Sequence, residues 1–493
     1  MKKYRPWTPG QGHLLPPSPT DWLPEGHLVY FILDIVKELD LRAITRAVDS
    51  KDARGEKPYS PVMMTALLLY AYCVGVFSSR RIERATYEDV AFRVLTGDTH
   101  PHFSRIADFR RRHLDAFADI FVQSVRLCAR AGLVKLGLVA IDGSKLQANA
   151  SKHKAMSYER MSKEEERLAA EVKALLERAE AADASDDACF GQGQRDEDLP
   201  AELRRREDRL AKIRHAKQQL EREALEVRAR QLRSLADGQD EKASTHPDPS
   251  ERKRAATRAT KRRAQADALD EQHDDDDEPP SQVSSSRSGL PSHAIKTTAG
   301  GSPHRKAQYN FTDAQSRIQQ RDGSFLQGYN CQAAVDAEAQ VIVAQGVTNQ
   351  PPDNHNLVPM LEGVAANCGR APDAAAADSG YWLPSNAAFE EATELYIAVP
   401  PPPANKTEPN PDGSTLPSGP TAREQMTAKL EGERGREVYS RRKAIVEPVF
   451  GQIKEARGFR RFLLRGLRKV EGEWAMLTAT HNLLKLFRHG ALA

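Results

Sequence analysis

Three acidic residues in this 493-residue chain stand where carboxylates do chemistry rather than packing. Asp142 directly follows Leu136-Gly137-Leu138-Val139-Ala140-Ile141 and precedes Gly143-Ser144-Lys145. A run this apolar reads as a strand covered on both faces, and a carboxylate just beyond it, followed by glycine, projects into a crevice. Asp378 follows a second apolar run, Ala374 to Ala377, and leads into Ser379-Gly380-Tyr381-Trp382. Glu447 lies in a late, highly charged helical stretch. Three converging carboxylates repel one another unless cations neutralise them, and hard oxygen ligands favour Mg²⁺ or Mn²⁺. Two such ions would activate a water or a 3′-hydroxyl and stabilise the leaving oxygen in phosphoryl transfer. A single Asp after a strand is as readily a turn residue; the ordered triple in basic surroundings is harder to explain that way.

Bringing these acids together requires particular elements. After the strand ending at Ile141, regular structure resumes at Gln327. Tyr329, Cys331, Ala333 and Val335 alternate with polar or small neighbours, then Val341 to Ala344 follows, which predicts a hairpin. Leu357 to Ala366 predicts a helix, Ala374–Ala377 a buried strand, Pro384 to Thr393 a helix and Leu395–Val399 a further strand. Pro400 to Pro420 is a Pro-rich linker, and Arg423 to about Arg457 is helical again. The order strand, hairpin, helix, strand, helix, strand, helix is that of a ribonuclease-H-like mixed sheet. Its first and fourth strands are neighbours, which would join Asp142 to Asp378.

The segment 157–301 interrupts this pattern. Ser162 with Glu165 suggests a capping box. Leu168, Val172, Leu175 and Ala179, then Leu210, Ile213, Leu220, Ala224 and Val227, form two narrow apolar stripes, as in an antiparallel helical hairpin. From Ala236 to Gly301 few large apolar residues occur among Asp274–Asp277 and a serine-rich run, which predicts disorder. The expected units are thus a helical domain at 1–133, a split α/β catalytic domain at 134–156 and 302–490, and the insertion at 157–301.

Residues 1–133 read as short helices with tight turns. Ser79 stands four residues before Glu83 at a helix start, and Gly97-Asp98 marks a turn. Ile106 and Phe109 share one face of a helix that leaves Arg105, Arg110 and Arg111 on the other. This is compatible with a helix-turn-helix-like DNA binder, and equally with a bundle bearing a basic surface.

The net charge is only +3, but it is unevenly spread. Between Arg434 and Gly490 there are 14 Lys/Arg against 5 Asp/Glu, the electrostatic footprint of a polyanion partner. Arg460, Arg461, Arg465 and Arg468 would grip DNA backbone without reading sequence. The 39% hydrophobic content is below that of compact domains, so part of the chain should bury no core. The longest apolar run, Val62 to Phe77, is shorter than the roughly 20 residues of a spanning helix, and no apolar segment follows the basic N-terminus. Five scattered cysteines without a Cys-x-x-Cys pair argue against a disulfide framework or structural zinc and for a cytoplasmic protein.

Several blocks together resemble bacterial insertion-sequence DDE transposases. Val139-Ala140-Ile141-Asp142-Gly143-Ser144-Lys145, with Asn149-Ala150-Ser151-Lys152-His153-Lys154, resembles their first acidic block, and Ala377-Asp378-Ser379-Gly380-Tyr381 the second. Tyr439-Ser440-Arg441-Arg442-Lys443-Ala444-Ile445-Val446-Glu447-Pro448-Val449-Phe450-Gly451-Gln452-Ile453-Lys454 resembles the third, with its Tyr-Arg-Glu-Lys signature. The stretch from Arg5-Pro6-Trp7 through Asp108-Phe109-Arg110 is similar to their N-terminal domain. The usual signature places an arginine four positions before the glutamate; here that position is Lys443, with Arg442 at five. Pro448 after Glu447 should also kink the helix.

The resemblance implies a ribonuclease-H-like catalytic core, Asp142, Asp378 and Glu447 as ligands of two Mg²⁺ or Mn²⁺ ions, and end cleavage followed by strand transfer. It implies double-stranded DNA as partner, both the element's terminal inverted repeats and the target, and a homodimer on paired ends. Lys145, Tyr439, Arg442, Lys443 and Lys454 would contact DNA beside the metals, with Glu447 and Lys454 nearly two helical turns apart on one face. Trp382 could stack a displaced base, and His355 could lie near the site. A nuclease that cuts without joining, or a DNA-binding protein without catalysis, are the rival readings.

Overall fold

The computed structural model describes residues 19–49, 58–190, 201–271, 288–321, 323–387, 389, 392–401 and 421–490. The chain begins with helices α1 (Leu28–Glu38), α2 (Arg42–Asp49), α3 (Pro61–Cys73), α4 (Ser79–Glu88), α5 (Val90–Thr96), α6 (Phe103–Arg112) and α7 (Leu114–Arg130). Helix α3 is buried at every position from Met64 to Cys73, as its all-round apolarity requires. It stops short of Phe77 because Gly75 turns the backbone into the left-handed region. Ser78, rather than Ser79, precedes α4, and its side chain makes no capping hydrogen bond.

The sheet follows: β1 (Leu138–Gln147), β2 (Ala155–Ser157), then α8 (Tyr158–Phe190), α9 (Ala201–Thr245) and α10 (Pro249–Glu271), then β3 (Gln308–Asn310), β4 (Arg317–Arg321), β5 (Ser324–Asp336) and β6 (Ile342–Thr348). The chain continues through α11 (Leu357–Cys368), β7 (Ala374–Ala377), α12 (Pro384–Ala387), β8 (Glu394–Ile397), α13 (Ala422–Glu431), α14 (Glu433–Gly451) and α15 (Leu467–Arg488). A six-stranded mixed sheet runs β4-β5-β1-β7-β8, with β6 also paired to β5. The pairs β1/β5 and β5/β6 are antiparallel, whereas β1/β7 and β7/β8 are parallel. The protein is therefore a mixed α/β chain with largely helical content.

Strand β1 runs six residues past Ile141, so Asp142 lies within it rather than beyond it. The reason is one-sided pairing. The parallel ladder with β7 ends at Ile141 and Ala377, while the antiparallel ladder with β5 continues from Val139 to Gln147. Polar residues can stay in a strand there because one flank has lost its neighbour.

Helix α15 packs against α7 and α3, and one apolar core runs continuously from Val29 in α1 through the sheet to Leu486 in α15. The boundary expected at residue 133 does not separate two cores. A buried polar link crosses it. The Tyr72 hydroxyl donates to Glu473 Oε1 at 3.3 Å, Arg110 donates to Tyr72 at 3.1 Å, and Glu473 Oε2 accepts the Leu463 and Leu464 amides.

The insertion differs from expectation in two ways. Helix α8 starts at Tyr158, so Ser162 bonds back to the Tyr158 carbonyl and Glu165 pairs with Arg214 and Lys217 instead of forming a capping box. The segment 236–271 is helical apart from the break at 246–248, not disordered: α10 packs along α9 through Ala255, Ala259 and Ala266, all nearly inaccessible. Alanine pays no side-chain entropy and lets helices approach closely, so a count of large apolar residues underrates such a helix. Beyond it, Leu290 and Ile295 are buried as well, while 272–287 lies outside the described residues. The apolar stripes do meet: Leu168, Leu210, Ile213, Leu220 and Ala224 share one cluster. Most of the expected Pro-rich linker, 402–420, also lies outside the described residues. The late helix is divided at Gly432, and Pro448 sits inside α14.

Candidate active site

Past the last β1/β7 ladder pair, Ile141 with Ala377, come Asp142 on one strand and Asp378 after the other. The sheet topology thus brings together two acids far apart in the chain. Asp378 caps the following turn by accepting the Gly380 amide at 2.9 Å, and among the described residues it has no ion-pair partner. Burial and the neighbouring charge of Asp378 push the Asp142 carboxyl up to about 6, against the opposing pull of Arg442 and of the Gly143 amide.

Two cations reach this face of β1 from the late helical segment. Arg442, 7% exposed at its side chain, places Nη1 3.1 Å from Asp142 Oδ2 and lies over the Tyr439 ring. Lys454 Nζ donates to Ser144 Oγ at 3.0 Å. Helical arithmetic explains the choice. Residues five apart on an α-helix are about 140° apart, so with Arg442 turned toward Asp142, Glu447 points away and is exposed. Lys443, four before Glu447, is exposed with it. Glu447 and Lys454, expected on one face, therefore part company. Twelve α-helical residues would leave Arg442 and Lys454 about 120° apart. A wider π-helical turn over Gln452–Ala456 lessens that angle, and such turns recur at functional sites.

On the other face of β1, Lys145 contacts both oxygens of Asp353 at 3.0 Å. Asp353 Oδ1 also accepts from Asn330 Nδ2 at 2.6 Å and Gln332 Nε2 at 2.7 Å. Gln332 in turn accepts the hydroxyl of the buried Tyr381. A Cβ at Gly143 would fall 2.8 Å from Asp353 Oδ1, so only glycine lets that carboxylate press against the backbone beside Asp142. The sequence gives no role to Asp353, Asn330 and Gln332; the Pro352-Asp353-Asn354 cluster before a helix is the available signal, while His355 beside it is exposed.

The remaining candidates are scattered. Arg110 is buried, bonding the Phe77 carbonyl and the hydroxyls of Tyr72 and Ser79, and cannot reach a groove as α6 stands. Its position follows from α6 facing α3 and α4 on that side. Arg105 and Arg111 are exposed, the latter paired with Asp108. Trp382 is half-buried against the core, with the Arg423 guanidinium 5.8 Å from its ring centre. Arg460, Arg461, Arg465 and Arg468 are exposed; Arg460 pairs with Glu455, Arg465 donates to the Asn149 carbonyl and Arg468 pairs with Asp115.

A divalent cation fits the Asp142–Asp378 pair, two oxygen-donor carboxylates whose mutual repulsion it would relieve. Glu447 is not part of that pair, and among the described residues no three His, Cys, Asp or Glu side chains converge as a ligand set. No helix among the described residues is long and apolar enough to cross a membrane.

Residues 17–112 match a transposase domain family (DUF772), and residues 413–487 match a transposase DDE domain family. The second match takes in Arg442, Glu447 and Lys454 but neither Asp142 nor Asp378. No curated protein and no solved structure matches the chain. Transposase families are thus matched toward each end of the chain, and together these two matches support an insertion-sequence DDE transposase.

Proposed function

We propose that the protein binds the terminal inverted repeats of its element, cleaves DNA there in a divalent-cation-dependent reaction, and joins the freed 3′ ends to target DNA. The observation that carries this is the meeting of Asp142 and Asp378 just past the last ladder pair of the parallel strands β1 and β7, with Arg442 and Lys454 over β1. The strand order, with β6, β5, β1, β7 and β8 side by side, supports a ribonuclease-H-like core.

Asp142 and Asp378 would hold Mg²⁺ or Mn²⁺, which when bound supplies a Lewis acid that polarises the scissile phosphate and lowers the pKa of an attacking hydroxyl. Arg442 then does two things. It balances the charge of Asp142 and offers its unpaired Nε–H, buried in the protein alone, to a phosphate oxygen. Lys454, released from Ser144, adds a point charge beside the same phosphate. The exposed Arg460, Arg461 and Arg465 grip the flanking backbone. Exposed Arg105 and Arg111 on α6 remain as groove-reading candidates. Glu447 would complete the carboxylate set only if α14 turned on DNA binding. Partners are duplex DNA and a second copy of the chain on paired ends, and the working compartment is the cytoplasm, at the nucleoid.

The test incubates the protein with labelled element ends, Mg²⁺ and a target plasmid. Nicked ends and end–plasmid joint molecules are expected. Nicks without joints would leave a nuclease, and binding without nicks a DNA-binding protein.

A further inference from the structure

The backbone ladder between the two acid-bearing strands stops one residue too early to hold the acids themselves. Ile141 with Ala377 is the last β1/β7 pair. Asp142 is still fixed by β5, through its pairing with Ala333. Asp378 lacks such support, because it has left β7 and starts the short turn Ser379–Tyr381. With no ladder pair of its own, Asp378 leaves its distance from Asp142 open to adjustment by the side chains around the turn.

The side chains that can set it form one chain of contacts. Tyr381, in the turn after Asp378, gives its hydroxyl to Gln332 on β5, and Gln332 Nε2 bonds Asp353 Oδ1. Asp353 is held by Asn330 on β5 and by Lys145 on β1, three residues after Asp142. The same loop is tied to the turn a second time, since Asn386 Nδ2 donates to the carbonyls of both Asn354 and Tyr381. Gly143 and Gly380 leave room for the carboxylate: a Cβ at Gly380 would lie 3.0 Å from Asp378 Oδ1 and 3.6 Å from Asp353 Oδ2. Asp353 therefore sits between the two acid-bearing segments and touches a side chain from each of β1 and β5.

We propose that Asp353 is a positioning residue that, through Lys145 on one side and Gln332 with Tyr381 on the other, fixes the separation of the Asp142 and Asp378 carboxylates. It acts on the cation through other residues and is not itself a ligand. The proposal rests on the reading of Asp142 and Asp378 as the cation pair. Groups that orient metal-binding carboxylates are worth roughly 10–100-fold in metal affinity when removed. Groups acting through one network also fail together rather than independently.

The experiment is Mn²⁺ titration calorimetry on the full-length, DNA-free protein, with melting temperatures recorded for each variant. Asp142→Asn is the control and should remove the binding heat; if Mn²⁺ binding survives it, the reading of the acid pair has failed, whatever Asp353 does. With that control passed, Asp353→Asn and Tyr381→Phe should each weaken Mn²⁺ binding about 10-fold. The double variant should be no weaker than the weaker single one, because both cut the same link. Wild-type affinity in Asp353→Asn, or multiplying losses near 100-fold in the double variant, would overturn the proposal. Should Asp353→Asn melt far below wild type, Gln332→Met cuts the link while leaving the Lys145–Asp353 pair, and the same two outcomes decide.

Discussion

Arg442 Nη1 lies 3.1 Å from Asp142 Oδ2, while Lys443, one residue on, is exposed beside the outward-facing Glu447. The arginine that meets Asp142 is the one five residues before the glutamate, because helix α14 presents that face to β1.

Arg442→Gln should therefore cut the cleavage rate by about 10²-fold, the scale of losing one preorganised donor beside a reacting group. Lys443→Gln should stay within about 3-fold, since an exposed lysine contributes only to diffuse attraction. Single-turnover cleavage of labelled ends compares the two; equal losses would mean that α14 turns on DNA binding and brings the Lys443–Glu447 face inward.

Asp142→Asn should abolish cleavage, retain end binding and raise stability at neutral pH without metal. The carboxyl is pushed up to about 6 from 3.8, so the folded chain holds its proton more tightly than the unfolded chain does. The charged form thus penalises folding. The penalty is absent below about pH 4, grows as pH rises, and is complete above about pH 6, where it approaches 3 kcal/mol. Urea denaturation in EDTA at pH 7.5 and pH 4 should show the variant more stable only at the higher pH. A variant less stable than wild type at pH 7.5 would mean that the Arg442 pair outweighs burial.

Arg110→Gln should destabilise the protein by about 3 kcal/mol, as expected for breaking a buried charged network. Arg105→Gln and Arg111→Gln should leave the melting temperature nearly unchanged and instead reduce the preference for element ends over random duplex. Thermal melts and binding at several salt concentrations separate the roles. An Arg110→Gln protein that melts like wild type but binds ends poorly would return this residue to DNA recognition.

The end of helix α9 and helix α10 should resist limited proteolysis, contrary to what the scarcity of large apolar residues after Ala236 suggests. Ala259→Asp, which puts a charge into their contact, should open α10 to cleavage. Fragments cut between Arg252 and Arg263 at the same rate in both proteins would show that the pair of helices is not stably formed.

The meeting of Asp142 and Asp378 was legible in the amino-acid sequence because its signals are local. A continuous apolar run that ends in an acid marks Asp142 and Asp378 however the rest of the chain folds, and Ala374–Ala377 is the strand β7 residue for residue. The alternation from Tyr329 to Val335 likewise marks β5, whose pattern depends only on the period of a strand. Tertiary structure decided the rest. Which face of α14 meets the sheet depends on packing against β1, and it selects Arg442 over Lys443 and sends Glu447 outward. Whether Arg110 meets solvent or Tyr72 depends on α6 lying against α3. Asp353 acquires a role only because Gly143 and Lys145 on β1 and Gln332 on β5 arrive around it from two strands far apart in the chain. Periodicity records which residues share a face; only the packed chain determines what that face meets.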